Sequence, residues 1–561
     1  MSVAIVRRAV PAAARALADA GVDPVLARLY AARGIASPQE LDCGLAALPA
    51  HASLRNIDAA SDRLADAIER GERVVIVADY DADGATGCAV AVRGLRALGA
   101  EVDFVVPNRF EYGYGLTPEI VALARIKQPS LIVTVDNGIA SHEGIAAAGA
   151  AGIDVIVTDH HLPGDRLPEP AIIVNPNQAA CEFPSKHIAG VGVMFYVLAA
   201  TRARLRSRGR GDGPNLAMLL DLCALGTVAD VVRLDQVNRI IVEQGLRRIR
   251  AGHASPGIAA LFRVAGRDAT RATATDLGFV LGPRLNAAGR LADMSIGIRC
   301  LLADHDHEAQ ALAHELDRLN RERRDVEATM QSEALAALES IEGGSDSYTL
   351  CVHHPDWHQG VIGIVASRLK DRFHRPAIVF ARGQAGELKG SGRSIPGLNL
   401  RDALDTVSKR APGLIARFGG HAFAAGLSIA ERDLERFAEA FEAVAREALL
   451  PADLARVVDS DGALGPRELT HTLARHIEQR VWGQGFPAPA FDDQFEVRGS
   501  RVVADAHTRL ALGRGAERFD GIVFRSTEGL PSRIRAVYRP EIDRYQGLEA
   551  LSLVITHWSP A

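Results

Sequence analysis

The chain has few cysteines, no long apolar run and no excess of positive charge. Its six cysteines, Cys43, Cys88, Cys181, Cys223, Cys300 and Cys351, are scattered without a CxxC pair. That excludes a disulfide scaffold or a zinc framework and suits small buried thiols in a reducing cytoplasm, the expected location. The most apolar later segment, residues 188–200, is too short to span a bilayer, so no membrane contact is expected. The first 22 residues carry arginines and alanines without an apolar core, and they read as a helical start, not a signal peptide. A formal net charge of −5 argues against a globally basic nucleic-acid binder. Local basic patches or bound metal could still attract a phosphate chain.

What is present is an ordinary folded composition, 48% hydrophobic and 24% charged over 561 residues. A chain of this length exceeds one core and suggests about three domains. The organising stretch is VVIVADYDADGATG, residues 74–87. A β-branched run reads as a buried strand and stops at three carboxylates on alternate residues, Asp79, Asp81 and Asp83. If the backbone stayed extended there, alternate side chains would aim at one spot. Carboxylates so close repel one another unless a cation lies between them, and oxygen donors of this kind suit hard divalent ions.

The construction returns in SLIVTVDNG (130–138), ending at Asp136, and in IDVIVTDHH (153–161), ending at Asp159, His160 and His161. Alanine-rich helical stretches separate the strands, so a parallel sheet with right-handed crossovers is expected. Ligands of such sheets bind beyond the carboxyl ends of the strands, which places these acids and histidines on one edge. DLCALGTVADVV (221–232) adds Asp230 after a glycine-containing turn.

DYDADG, VDNG, TDHH and GTVADVV, in that order, resemble the four motifs of the DHH phosphoesterase superfamily. Downstream, WHQGVIGIVASRL (357–369), GSGRS (390–394) and GGHAFAAG (419–426) are similar to its accessory DHHA1 domain. The combination resembles the superfamily's bacterial exonucleases specific for single-stranded DNA. The implied fold is a parallel-sheet α/β DHH domain, a long helix, a smaller α/β DHHA1 domain and a C-terminal β-barrel of OB type. The corresponding boundaries are 1–70 for an N-terminal helical segment, 71–300, 301–345 for the connecting helix, 346–450 and 451–561. The barrel expectation also stands on the residues, since short alternating strands and polar turns fill the last 110 or so positions.

The resemblance implies 5′ to 3′ hydrolysis of phosphodiester bonds in DNA repair and recombination, with Mn²⁺ or Mg²⁺, two ions, as cofactor. Asp81, Asp83, Asp136, His160 and Asp230 are the implied ligands, with Asp79 either a ligand or a partner of one. His161 is the candidate for contacting the scissile phosphate, and Asp83 and Asp136 join it as catalytic candidates. Many superfamily members carry a histidine where this chain has Val77, which puts one ligand of the second ion in question.

Arg109 and Tyr114 stand in an aromatic, glycine-punctuated loop (101–120), and the resemblance makes Arg109 an anchor for a terminal 5′-phosphate. Arg284 and Asn286 in GPRLNAAGR are expected to contact phosphate. Ser391 and Arg393 offer a phosphate-binding combination in GSGRS, while His421 is either a substrate or a core histidine. A basic run, RARLRSRGR (202–210), reads first as a solvated loop and only second as a DNA patch. Arg498, Arg501, Arg533 and Arg535 are candidates for a groove on the barrel. Expected partners are single-stranded DNA, single-strand-binding protein and a RecQ-type helicase, with a monomeric chain. A phosphodiesterase for short oligonucleotides and a non-catalytic scaffold are the rival readings.

Overall fold

A computed structural model describes residues 3–108, 112, 115–339, 347–383, 386–544 and 549–561. Five strands form a parallel sheet: β1 (Arg73–Ala78), β2 (Glu101–Val105), β3 (Leu131–Val135), β4 (Asp154–Thr158) and β5 (Ile172–Val174). Their order across the sheet is β2-β1-β3-β4-β5. The chain leaves β1 toward one edge and returns to build β3 on the other side. The carboxyl ends of β1 and β3 are therefore the switch point of the sheet, where a crevice opens.

The apolar runs reflect burial on both faces. In β1, Val74, Ile76 and Ala78 join one core and Val75 and Val77 the other. The first core also takes α1 (Ile57–Arg70), α2 (Ala82–Ala97), α3 (Gly190–Ser207) and α4 (Leu220–Ala229). The second takes helices Pro118–Arg125 and His142–Ala150. Val77, which has no donor atom, is fully buried in that second core.

The chain divides into two compact units, one of Arg7–Leu319 with Asp459–Ala561, the other of Met1–Val6 with Asn320–Val458. Helix α5 (Gly282–Leu291) belongs to the first, and the division falls within the 34-residue helix α6 (Asp306–Glu339). The second unit carries helix α7 (Ile362–Phe373) and a mixed sheet. Its strands are β6 (Leu350–His353), β7 (Ala377–Arg382), β8 (Glu387–Arg393), β9 (Arg417–Gly420) and β10 (Ala424–Ala430), ordered β9-β10-β8-β7-β6.

The expected barrel is closed, with β11 (Phe491–Val503), β12 (His507–Arg514), β13 (Glu517–Val523), β14 (Arg533–Asp543) and β15 (Ala550–Pro560). Phe491, Phe495 and Leu510 from the barrel belong to the same continuous core as the first sheet. A buried ion pair ties the segment before the barrel to the N-terminal helices. Arg33 reaches Asp461 with two bonds of 3.0 and 2.8 Å and also donates to the carbonyls of Leu29 and Pro487. Both side chains are almost wholly buried.

Replacing Arg33 leaves the buried Asp461 carboxylate, among the described residues, with only the longer 3.5 Å ion pair to Arg8. Arg33→Met is expected to destabilise the Arg7–Leu319 unit by about 3–5 kcal/mol. Chemical denaturation of the full chain measures this. The double variant Arg33→Met/Asp461→Leu is expected to recover most of the loss.

Candidate metal and phosphodiester site

The strand ends at Ala78, and the backbone does not continue extended through the acidic motif. Asp81 caps α2, accepting the amides of Asp83 (2.9 Å) and Gly84 (3.0 Å), and Asp83 sits in the first helical turn. The three acids converge through a strand-to-cap-to-helix turn, not by alternation. Gly84 makes that turn possible, because a Cβ there would lie 2.5 Å from the Asp79 carbonyl.

The sheet ladder runs one residue past the strands and positions each acid. Asp79 donates its amide to the Val135 carbonyl, Asp136 to Thr158 and Asp159 to Val174, at 3.2, 3.0 and 3.2 Å. Asp136 takes a left-handed conformation, φ 62°, which aims its carboxylate back into the crevice. Gly190 packs against it so closely that a Cβ would meet the Asp136 Cβ at 2.7 Å. The Asn137 side-chain amide donates to the carbonyls of Val77 (3.1 Å) and Val135 (2.9 Å). It clamps together the ends of β1 and β3, from which Asp79 and Asp136 emerge.

Asp83 is fully buried and accepts the amides of Gly190 (2.7 Å) and Val191 (2.9 Å), at the positive end of α3. His160 Nε2 lies 3.0 Å from Asp136, 3.5 Å from Asp230 and 4.0 Å from Asp83. Burial, then the charge of Asp81, pushes the Asp83 carboxyl up to about 7. Asp79, Asp136 and Asp230 are raised well above the ordinary range by burial and then by neighbouring carboxylates. Four acids that resist ionisation together form a site for positive charge.

The donors fit that purpose. Ligand atoms of Asp79, Asp81 and Asp136 lie within 4.8 Å of one another, as do those of Asp83, His160 and Asp230. Carboxylates with one imidazole suit Mn²⁺ or Mg²⁺. His161 is different. Its Nδ1 bonds Asp159 at 2.7 Å, which fixes the orientation of the ring. Burial acts to lower its pKa, but the Asp159 bond and charge outweigh it and raise the imidazole to about 9. Asp159 is held in turn by the Ile139 amide (2.9 Å), and Asn175 and Asn177 fix the carbonyls of His161 and His160.

Residues 73–227 match the DHH family, N-terminal domain, residues 346–447 the DHHA1 domain and residues 460–557 the RecJ OB domain. The single-stranded-DNA-specific exonuclease RecJ of Salmonella typhimurium is 49% identical over 552 residues, 96% of each chain. The chain belongs to the RecJ family. Crystal structures of RecJ from Thermus thermophilus with Mn²⁺ and with Mg²⁺ match with TM-scores of 0.85 and 0.79. They are 31% and 29% identical, and each match covers all of this chain and 80% and 79% of the other.

Seven of the residues expected in the site, Asp79, Asp81, Asp83, Asp136, His160, His161 and Asp230, come together at the mouth of the crevice. Asn286 adjoins them, its Oδ1 accepting the Ala82 amide at 2.8 Å, so it braces the acidic turn. Arg284 departs from expectation. It is buried, bonded to Asp317 at 2.9–3.0 Å and to the Val280 carbonyl at 2.6 Å, and a phosphate contact would have to break that pair. Arg109 and Tyr114 lie outside the described residues.

Ser391, Arg393 and His421 belong to the second unit, where Arg393 bonds the Ser391 hydroxyl at 3.2 Å beside the start of α7. His421 is exposed at the turn between β9 and β10. The basic run is not a loop over most of its length: residues 202–207 end α3, and Arg204 and Arg208 pair with Asp62, Asp66 and Glu69 of α1. On the barrel a cleft of about 610 Å³ includes Arg501, Arg509, Phe524, Asp543 and Arg544. Arg509 pairs there with Asp543 at 3.0 Å, and Arg544 with Glu478. Arg535 is taken up by Asp492 at 2.7 Å, while Arg498 and Arg533 lie 3.4 and 3.8 Å from Glu496.

Asp159, Asn137 and the Asn175–Asn177 pair received no role from the sequence. The only signals were a third acid at a strand end, a polar residue after Asp136 and an NPN turn after β5.

The raised carboxyls give a signed expectation. Neutral Asp83 favours the folded metal-free chain fully below the ordinary value of 3.8, and that contribution is lost as pH rises through about 7; the raised Asp79, Asp136 and Asp230 act in the same direction. Metal-free Asp136→Asn is therefore expected to gain in Tm over the parent between pH 4 and 8. With Mn²⁺ present the order is expected to reverse, because a neutral amide at 136 is a weaker donor to a hard cation than a carboxylate. His161 works in the same sense: its stabilising charge is complete below 6.5 and fades through about 9. Asp159→Asn is expected to shift the alkaline limb of the rate profile downward by at least one pH unit.

Proposed function

We propose that this chain is a metal-dependent exonuclease that hydrolyses single-stranded DNA from the 5′ end, in DNA repair and recombination. The observation that carries the reading is the buried carboxylate cluster with His161 beside it, in a chain alike over 96% of its length to an exonuclease of that specificity. Asp79, Asp81 and Asp136 would hold one ion. Asp83, His160 and Asp230 would hold another, with Asp136 close enough to His160 to serve both. Bound there, Mn²⁺ or Mg²⁺ supplies a water of lowered pKa and offsets charge on the phosphate oxygens.

The chain's own groups do the rest. Asp159 keeps His161 protonated and oriented, so that Nε2–H donates to an oxygen of the scissile phosphate as charge develops. The α3 amides hold Asp83 ionised once a cation is near. Asn286 and Asn137 keep the acidic turn and the two strand ends in register. A monomeric, cytoplasmic enzyme working beside single-strand-binding protein and a RecQ-type helicase is consistent with the family. Among the described residues, no helix is long and apolar enough to cross a membrane.

The test is degradation of 5′-labelled and 3′-labelled single strands with Mn²⁺ or Mg²⁺, beside a duplex. Mononucleotides are expected from the 5′ label first, with little from the duplex. Asp81→Ala should abolish turnover, and His161→Ala should lower kcat/KM on the order of 10²–10³-fold. Turnover of dinucleotides alone would favour a small-substrate phosphodiesterase. Tight binding without hydrolysis would leave a scaffold.

A further inference from the structure

Two of the exposed large apolar side chains directly follow residues of the cluster. Leu162, 66% exposed, follows His161, and Val231, 62% exposed, follows Asp230. A third, Phe279, is 76% exposed and lies in a turn of π-helix, Leu277–Leu281. Such turns are rare and recur at functional sites.

The segment that carries Phe279 packs on the end of α4, which leads into Asp230. A Cβ on Gly278 would meet Val228 at 3.0 Å, and one on Gly282 would meet Ala229 at 3.0 Å. Val228 and Ala229 end α4, and Asp230 comes next. From there α5 carries Asn286 to the Ala82 amide and Gly289 against the Tyr80 carbonyl. The segment 277–289 thus runs from Asp230 to the acidic turn, with Phe279 at its Asp230 end.

A lone exposed apolar residue needs no explanation. Apolar groups adjoining a cluster built for phosphate do, because a strand with its phosphate there must seat its bases nearby. We propose that Phe279, with Val231, forms a stacking surface for an unpaired nucleobase of the strand whose phosphate occupies the cluster. Leu162 borders the same strand on the His161 side. Aromatic stacking accepts any base, and a base held in a duplex reaches the ring only after unpairing. The surface therefore favours single strands without reading sequence. This inference rests on the nuclease reading of the site.

The test uses the full chain and oligodeoxythymidylate. Phe279→Ala is expected to raise KM about tenfold, the worth of one stacked base. Phe279→Trp should restore KM, Phe279→Leu should not, and the Mn²⁺-induced rise in Tm should be the same in all three. A second arm does not depend on turnover. With Mn²⁺ and a hydrolysis-resistant phosphorothioate strand, the indole added by Phe279→Trp should be quenched relative to the parent, and a blunt duplex should leave it unchanged. An unaltered KM in Phe279→Ala, or no quenching by the single strand, overturns the proposal. If the parent hydrolyses no strand under either metal, the nuclease reading fails, and the quenching arm alone decides the stacking surface.

Discussion

Like-charge repulsion among carboxylates withdrawn from water is the constraint around which the first unit is built. Asp79, Asp83 and Asp136 are buried at the switch point of a parallel sheet, with Asp81 and Asp230 beside them. No flexible loop would hold so many acids together without a cation. Here each is held by rigid backbone: ladder amides for Asp79 and Asp136, the start of α3 for Asp83, the cap of α2 for Asp81. Backbone thus fixes where the acids stand, and a divalent ion among them would turn the repulsion into attraction.

That arrangement explains the density of small residues nearby. Gly84, Gly190, Gly226 and Gly289 each stand where a Cβ would enter the site or the turn that supports it; at Gly226 it would reach the Thr86 hydroxyl at 2.1 Å. Close backbone approach brings amides, not side chains, to the carboxylates. The adjoining histidines divide the labour by what their other partners are. His160 faces the acids, while His161 is turned by Asp159 into a charged donor. The Asp159 carboxylate on Nδ1 of His161 sets that ring apart from His160, whose Nε2 lies among the acids.

Much of the site was legible from spacing, since each β-branched run ends in an acid and parallel strands share one carboxyl edge. What was misread followed from local context that spacing does not carry. Alternation suggested an extended acidic segment, but Asp81 finds a better partner in the amides of a helix start. Arg284 looked like a phosphate ligand among glycines, yet Asp317 on α6 claims it. Among the barrel arginines offered for a groove, Arg535 has Asp492 opposite it and Arg498 and Arg533 have Glu496. A positive residue in sequence has no visible partner, because its partner is usually distant along the chain.

By itself the sequence determined the strand-and-acid repeat, the donors and hence the class of ion, because these follow from residue type and short-range periodicity. It also determined the closed barrel, through alternating runs and turns. Tertiary structure decided which donors lie within reach of one another, which histidine has Asp159 on its Nδ1 and which arginines are spent on ion pairs. It also decided that Val77 faces a core and Phe279 faces solvent. Those outcomes depend on burial and on contacts between distant segments, and no local pattern encodes them.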